Sequence, residues 1–188
     1  MSHEPNERRM SNFLIRRDVV FEGRIFRVAR EELRYPDGTT QFHEVVERPD
    51  TVAVVAIPGR GRLLLVEEYC AALRRTQVSL PGGKVRHLSD VATEAARELR
   101  EETGYRGSHL ERLLSFHVSP SYMTWIVHAF LATDLVFDPL PADAGEAIRV
   151  FEASWEEAIA ACLTDFTSTG EVLPCILAAR KRLGLEKA

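Results

Sequence analysis

The sequence has little cysteine, no long apolar run and no surplus of positive charge, and each shortage rules something out. Cys70, Cys162 and Cys175 are odd in number, scattered, and without metal-ligand spacing. Such a set is no disulfide framework, and it predicts reduced, mostly buried thiols in a cytoplasmic protein. Nowhere do 18 apolar residues run together, and the opening MSHEPNERRMSN carries no apolar core, so neither a spanning helix nor secretion is expected. Lys and Arg total 24 against 28 Asp and Glu, a net charge of −4 with a pI near 5.9. That balance offers no electrostatic case for a nucleic-acid duplex or an anionic membrane as main partner. Internal repeats and low-complexity tracts are missing too.

What remains, 188 residues of which 45% are hydrophobic and 28% charged, suits one globular domain with a sizeable core and a small appendage. Residues 1–12 are polar and expected to be disordered. Residues 13–48 read as a β-hairpin region, because IFRVAREELRY and QFHEVVER alternate on either side of Asp37-Gly38. Residues 49–188 form the main domain. There TVAVVAI and RLLLVEE flank PGRG, a second hairpin whose near-continuous apolar strands are central and buried on two faces. A helix follows from about Asp90 to Glu102, with Ser89 or Asp90 as cap and Gly104 as its left-handed stop. Ala92, Ala95, Ala96 and Leu99 are its expected apolar side, opposite its glutamates. LERLLSFHV and TWIVHAFLATDL read as strands, Ser154 to Glu157 as a capping box, and a last helix with Pro174 in its first turn runs to about Arg182. Strands interleaved with three helices predict an α/β fold with a mixed sheet covered on both faces.

The stretch RELREETGY places Glu98, Glu101 and Glu102 as neighbours on one helix turn, with Glu94 a turn earlier. In open solvent each like-charge pair costs only about 0.2–0.5 kcal/mol, so a solvated face is the plain reading. In a cleft, at about 6 Å and an effective dielectric near 20, repulsion rises to about 3 kcal/mol per pair and calls for a cation or protonation. The flanking Gly82-Gly83 turn favours the cleft, since glycines let a backbone carbonyl approach a ligand. One carbonyl and several carboxylates suit a hard divalent cation, Mg²⁺ or Mn²⁺, which keeps positions for water and substrate phosphates.

GKVRHLSDVATEAARELREETGY, Gly83 to Tyr105, resembles the Nudix box, G-x5-E-x7-R-E-U-x-E-E-x-G-U with U aliphatic. Gly83, Arg97, Glu98, Leu99, Glu101, Glu102 and Gly104 fall in register, and Tyr105 stands at the last aliphatic position. The resemblance implies a Nudix-fold α/β/α sandwich with an N-terminal β-hairpin extension. It assigns Glu98 and Glu102 as principal metal ligands, Glu101 as a further ligand or proton acceptor, and the Gly82 carbonyl as another ligand. Arg97 orients this group and is kept among the candidate substrate contacts. One position departs: the family's first glutamate, which braces the arginine, is Ser89 here. Asp90 is a possible substitute, although one residue turns a helical side chain by about 100°; Ser89 as a plain N-cap is the structural alternative.

Beyond the box, FHEVVERPDTVAVVAI, LLLVEEYCAAL and LPGGKV resemble the ADP-ribose pyrophosphatase group, whose dimers pack through the N-terminal hairpin. SPSYMTWIVHAFLATDL and DFTSTGEVLPCILAARKRL are most similar to the ADP compounds hydrolase subgroup, which cleaves ADP-ribose, diadenosine polyphosphates and NADH. Cys70, where the ADP-ribose pattern has a phosphate-gripping arginine, sorts the same way. The resemblance therefore implies a cytoplasmic homodimer that uses Mg²⁺, or Mn²⁺ in its place, to cleave an ADP-linked diphosphate. Glu146, in an E-x-I-x-V register to Val150, is a second catalytic candidate; Asp143 is a weaker one, since exposed loop acids are ordinary. Ser121 and Tyr122 are candidate substrate contacts, and Trp125 is either a stacking residue or core. His87, His117 and His128 read as structural. A GDP-mannose or other nucleotide-sugar pyrophosphatase is the alternative enzyme, and a silent nucleotide-sensing domain the alternative of another class.

Overall fold

A computed structural model describes residues 13–59, 61–142, 147–164 and 168–185. The chain divides into two compact units, Met1–Arg48 with Ser119–Trp125, and Pro49–Val118 with Ile126–Ala188.

In the first unit β1 (Phe13–Glu22), β2 (Arg27–Arg34) and β3 (Thr40–Glu47) form an antiparallel sheet in that order. The turn between β2 and β3 is the expected one: Gly38 has φ of 86°, and the Thr39 N–H donates to Asp37 Oδ1 at 2.9 Å. The structure therefore has one strand more than the hairpin read from the sequence. β1 escapes a period-two reading because register shifts interrupt it between Leu14 and Arg16 and between Val19 and Phe21. The segment from Ser119 docks on β3, where the Val46 N–H donates to Tyr122 O at 2.7 Å. Arg48 stacks over the Trp125 ring at 3.9 Å, which accounts for that aromatic by packing.

The second unit is an α/β/α sandwich. Its strands are β4 (Thr51–Gly59), β5 (Arg62–Cys70), β6 (Arg75–Ser79), β7 (Gly82–Lys84), β8 (Tyr105–His117), β9 (Ile126–Phe137) and β10 (Arg149–Ala153). They join in the order β10-β5-β4-β9-β8, with β6 on β5 and β7 on β4. β4 and β9 run parallel and the other pairs antiparallel, so the sheet is mixed as expected. Val52, Val54 and Ala56 of β4 pack with Ala95 and Leu99 of α1 (Val91–Thr103). Ala53 and Val55 are equally buried and face the other way, because strand side chains alternate. Helices α2 (Trp155–Leu163) and α3 (Val172–Arg182) complete the sandwich, with Val172, Cys175, Ile176 and Ala179 of α3 buried. The Ser154–Glu157 capping box opens α2 as read.

All three cysteines are free, and burial pushes the Cys175 thiol up to about 12, an inert core position. Among the described residues no helix is long and apolar enough to cross a membrane.

Candidate active site

The site begins with two glycines that are needed for different reasons. Gly82 and Gly83 open β7 opposite Ala53 and Val52 of β4. Both ends of this short strand are pinned: the Val54 N–H donates to Pro81 O and the Val85 N–H to Asp50 O, each at 2.8 Å. A Cβ on Gly82 would stand 2.1 Å from the Val52 carbonyl oxygen, whereas one on Gly83 would stand 2.5 Å from the Glu98 carboxylate. Gly82 thus lets two backbones meet, and Gly83 lets a carboxylate lie against the strand.

Helix α1 carries that carboxylate. Asp90 caps it by accepting the Thr93 N–H at 3.0 Å, and Gly104 ends it at φ of 77°. The expected division into apolar and acidic faces needs correction. Ala92 is exposed and Ala96 half-buried, while Glu94 and Glu98, only 5% and 7% exposed, lie on the inner side with Ala95 and Leu99. The reason is Arg97. Its guanidinium donates to Glu94 at 2.8 and 3.2 Å, to Glu98 at 2.5 Å, and to Glu101. Glu102 faces the diglycine, accepting the Gly82 N–H at 2.9 Å. Burial works against the Arg97 charge, yet the hydrogen bond to Glu94 and the neighbouring Glu98 and Glu101 charges raise its pKa above normal. Burial raises Glu98 as well, even with Arg97 and Arg86 opposing it.

Glu98, Glu101, Glu102, Arg97 and the diglycine of the sequence reading are therefore brought together. Ser89 is exposed in a 3₁₀ turn, Leu88–Asp90. Asp90 does not stand in for the family's glutamate, because its carboxylate is spent on Thr93. Glu94 is the residue that reaches Arg97, a role the sequence reading missed although the spacing of three on a helix signals it. Glu146 and Asp143 lie outside the described residues. Ser121 and Tyr122 are exposed on the turn that docks on β3 in the first unit. His128 is structural as read: it pairs with Ser115 Oγ at 2.7 Å and Asp50 Oδ2 at 3.2 Å, joining β8, β9 and the start of β4.

The donor set fits a hard divalent cation. Glu94, Glu98 and Glu101 share one guanidinium, Glu102 stands beside them on the diglycine, and every side-chain donor is oxygen. Among the described residues no three acidic, histidine or cysteine side chains form a ready-made cage, since Glu94, Glu98 and Glu101 turn to Arg97. A cation that keeps waters and takes substrate oxygens needs no such cage.

A mixed sheet sandwiched by helices, with a carboxylate helix laid against a diglycine strand, is an α/β/α class of protein whose clustered oxygen donors suit a hard divalent cation. The NUDIX domain family matches residues 47–173, and the chain belongs to it as a Nudix hydrolase. Among its relatives, an ADP-ribose pyrophosphatase of Bacillus subtilis is 33% identical over 77% of this chain and 80% of its own. The ADP compounds hydrolase NudE of Escherichia coli is 26% identical over 70% of this chain and 71% of its own. A crystal structure of an ADP compounds hydrolase superposes with a TM-score of 0.83 at 22% identity, covering 94% of this chain and 97% of that one, which shows the shared fold. Both groups that the sequence resembles thus stand among its relatives.

Proposed function

We propose that the protein hydrolyses the diphosphate of ADP-linked compounds, releasing AMP and a second phosphomonoester. The observation that carries this reading is the placement of Glu98 and Glu102 against the diglycine strand, in a chain 33% identical to an ADP-ribose pyrophosphatase. Glu98, Glu101, Glu102 and the Gly82 carbonyl would hold Mg²⁺, with Mn²⁺ as substitute. When bound, such a cation offsets the charge of the diphosphate and acidifies water. The chain's own residues do the rest. Arg97 gathers the Glu98 and Glu101 carboxylates beside one guanidinium on the helix, from which they would turn to take the cation. Glu101 accepts the proton of the attacking water, with Glu146 as the other candidate base. Ser121 and Tyr122 are proposed substrate contacts; an exposed aromatic offers a stacking surface. A cytoplasmic homodimer completes the reading; the exposed apolar side chains of the N-terminal sheet, Phe13, Phe21 and Phe42 among them, support the dimer, and three free cysteines support a reducing compartment.

The test is a panel of ADP-ribose, diadenosine triphosphate, NADH and GDP-mannose with Mg²⁺, scored for released monophosphates. Preference for GDP-mannose would move the assignment to nucleotide sugars, and tight binding without turnover would make the domain a sensor. Glu102→Gln is expected to lower turnover at least a hundredfold with the fold kept, since it removes a ligand charge and no volume. Full activity in that variant would overturn the metal assignment.

A further inference from the structure

We infer that Glu94 is a positioning residue of this site, holding Arg97 so that Glu98 and Glu101 are aimed but not neutralised. The inference rests on the divalent-cation reading above and adds a residue to it. Glu94 is 5% exposed, and one oxygen, Oε2, accepts from Arg97 Nε at 3.2 Å and Nη2 at 2.8 Å. Two N–H groups on one oxygen fix both the position and the tilt of the guanidinium. Nη2 is shared with Glu98 and Nη1 goes to Glu101, so the plane set by Glu94 decides where those two carboxylates point.

Charge gives the second half of the role. A guanidinium without Glu94 would have Nε and all of Nη2 to turn onto Glu98 and Glu101, and would compete for them with a cation. Glu94 draws part of that hydrogen-bonding capacity away from the ligand carboxylates. The contacts with the diglycine come from its neighbours: the hypothetical Cβ of Gly83 meets Glu98, and the Gly82 N–H meets Glu102. Ser89 and Asp90, the nearest alternatives in sequence, are respectively exposed and committed to the helix cap. No other described carboxylate accepts from Arg97 besides Glu94, Glu98 and Glu101.

The test compares wild type, Glu94→Gln, Glu94→Asp and Ser89→Glu/Glu94→Gln. Affinity for Mn²⁺ alone is measured by calorimetry, and kcat and KM are measured on whichever panel compound the wild type cleaves. Glu94→Gln is expected to bind Mn²⁺ about tenfold more weakly and to lose kcat by a similar factor, with KM for the nucleotide nearly unchanged. Glu94→Asp, charged but too short, should fall between. Ser89→Glu, which restores the carboxylate that the Nudix pattern places there, should return Mn²⁺ affinity to within about threefold of wild type, because partners that orient ligands act through geometry. A purely structural Glu94 would lower the melting temperature and leave Mn²⁺ affinity alone, and that result overturns the inference. So does a double variant no better than Glu94→Gln. Should Glu94→Gln not fold, Glu94→Asp and the double variant carry the comparison by themselves. If wild type binds Mn²⁺ yet cleaves nothing, the hydrolase reading fails while the affinity series still decides the role of Glu94.

Discussion

Two adjacent glycines separate folding from function more cleanly than any other residues in the site. Replacing Gly82 by alanine sets a Cβ against the Val52 carbonyl oxygen, a backbone atom held in the β4–β7 ladder that cannot step aside. We expect Gly82→Ala to melt markedly lower than wild type and to lose amide protection along β7. Gly83→Ala instead meets the end of the Glu98 side chain, which can rotate away. Its melting temperature should stay within a few degrees of wild type while turnover falls by more than tenfold, because a displaced Glu98 carboxylate would no longer hold the proposed cation in place. Equal melting losses in the two variants would refute this division. At this scale the sequence was readable where residue type decides: Arg97, Glu98, Glu101, Glu102 and the diglycine were all marked by pattern. It was not readable where a rotamer decides. The spacing of three permits a Glu94–Arg97 contact but does not require it, and it is the side-chain placement that gives the guanidinium to Glu94 while Asp90 takes the Thr93 N–H.

Elements show the same limit from another side. The helices were legible because their ends are written in chemistry: Asp90 and Gly104 bound α1, and the reciprocal Ser154–Glu157 bonds open α2. β1 was not legible, because its two register shifts break the period-two pattern that identifies a strand. The face of α1 was misread because glutamates count as outward by hydropathy, whereas Arg97 makes burial of Glu94 and Glu98 tolerable. The α2 cap yields a pH prediction. The backbone hydrogen bond from Ser154 holds the Glu157 carboxyl below the usual carboxylate range. A depressed folded-state value means that its stabilisation is fully present above the unfolded value and is lost as pH falls through the folded one. Amides of the first turn of α2 should therefore exchange faster as pH drops below about 4, after correction for intrinsic rates. Ser154→Ala should remove about 1 kcal/mol of stability at neutral pH, read by chemical denaturation. An unchanged midpoint in that variant would show that the cap contributes nothing.

For the whole molecule, the unit that holds Glu98 and Glu102 has buried apolar residues on both faces of its sheet, whereas among the described residues of the N-terminal sheet only Ala29 is a buried apolar residue and large ones lie in solvent. Phe13, Val20, Phe21, Ile25, Phe26 and Phe42 are each more than 40% exposed within a single chain. Phe21 and Phe42 sit opposite Val28 and Glu32, two positions of equal parity on β2, and so share one face. An apolar surface of this kind on a protein with a net charge of only −4 favours association. We expect wild type to sediment as a dimer at micromolar concentration, and Phe21→Glu/Phe42→Glu to sediment as a monomer with a folded far-ultraviolet spectrum. The paired substitution places charge on the exposed face without touching the ion pairs of Arg17 and Arg27 with Glu47, so monomerisation would report the surface and not a collapsed sheet. A wild-type protein that sediments as a monomer would remove the dimer from the functional reading and leave the N-terminal sheet's apolar face without an assigned partner.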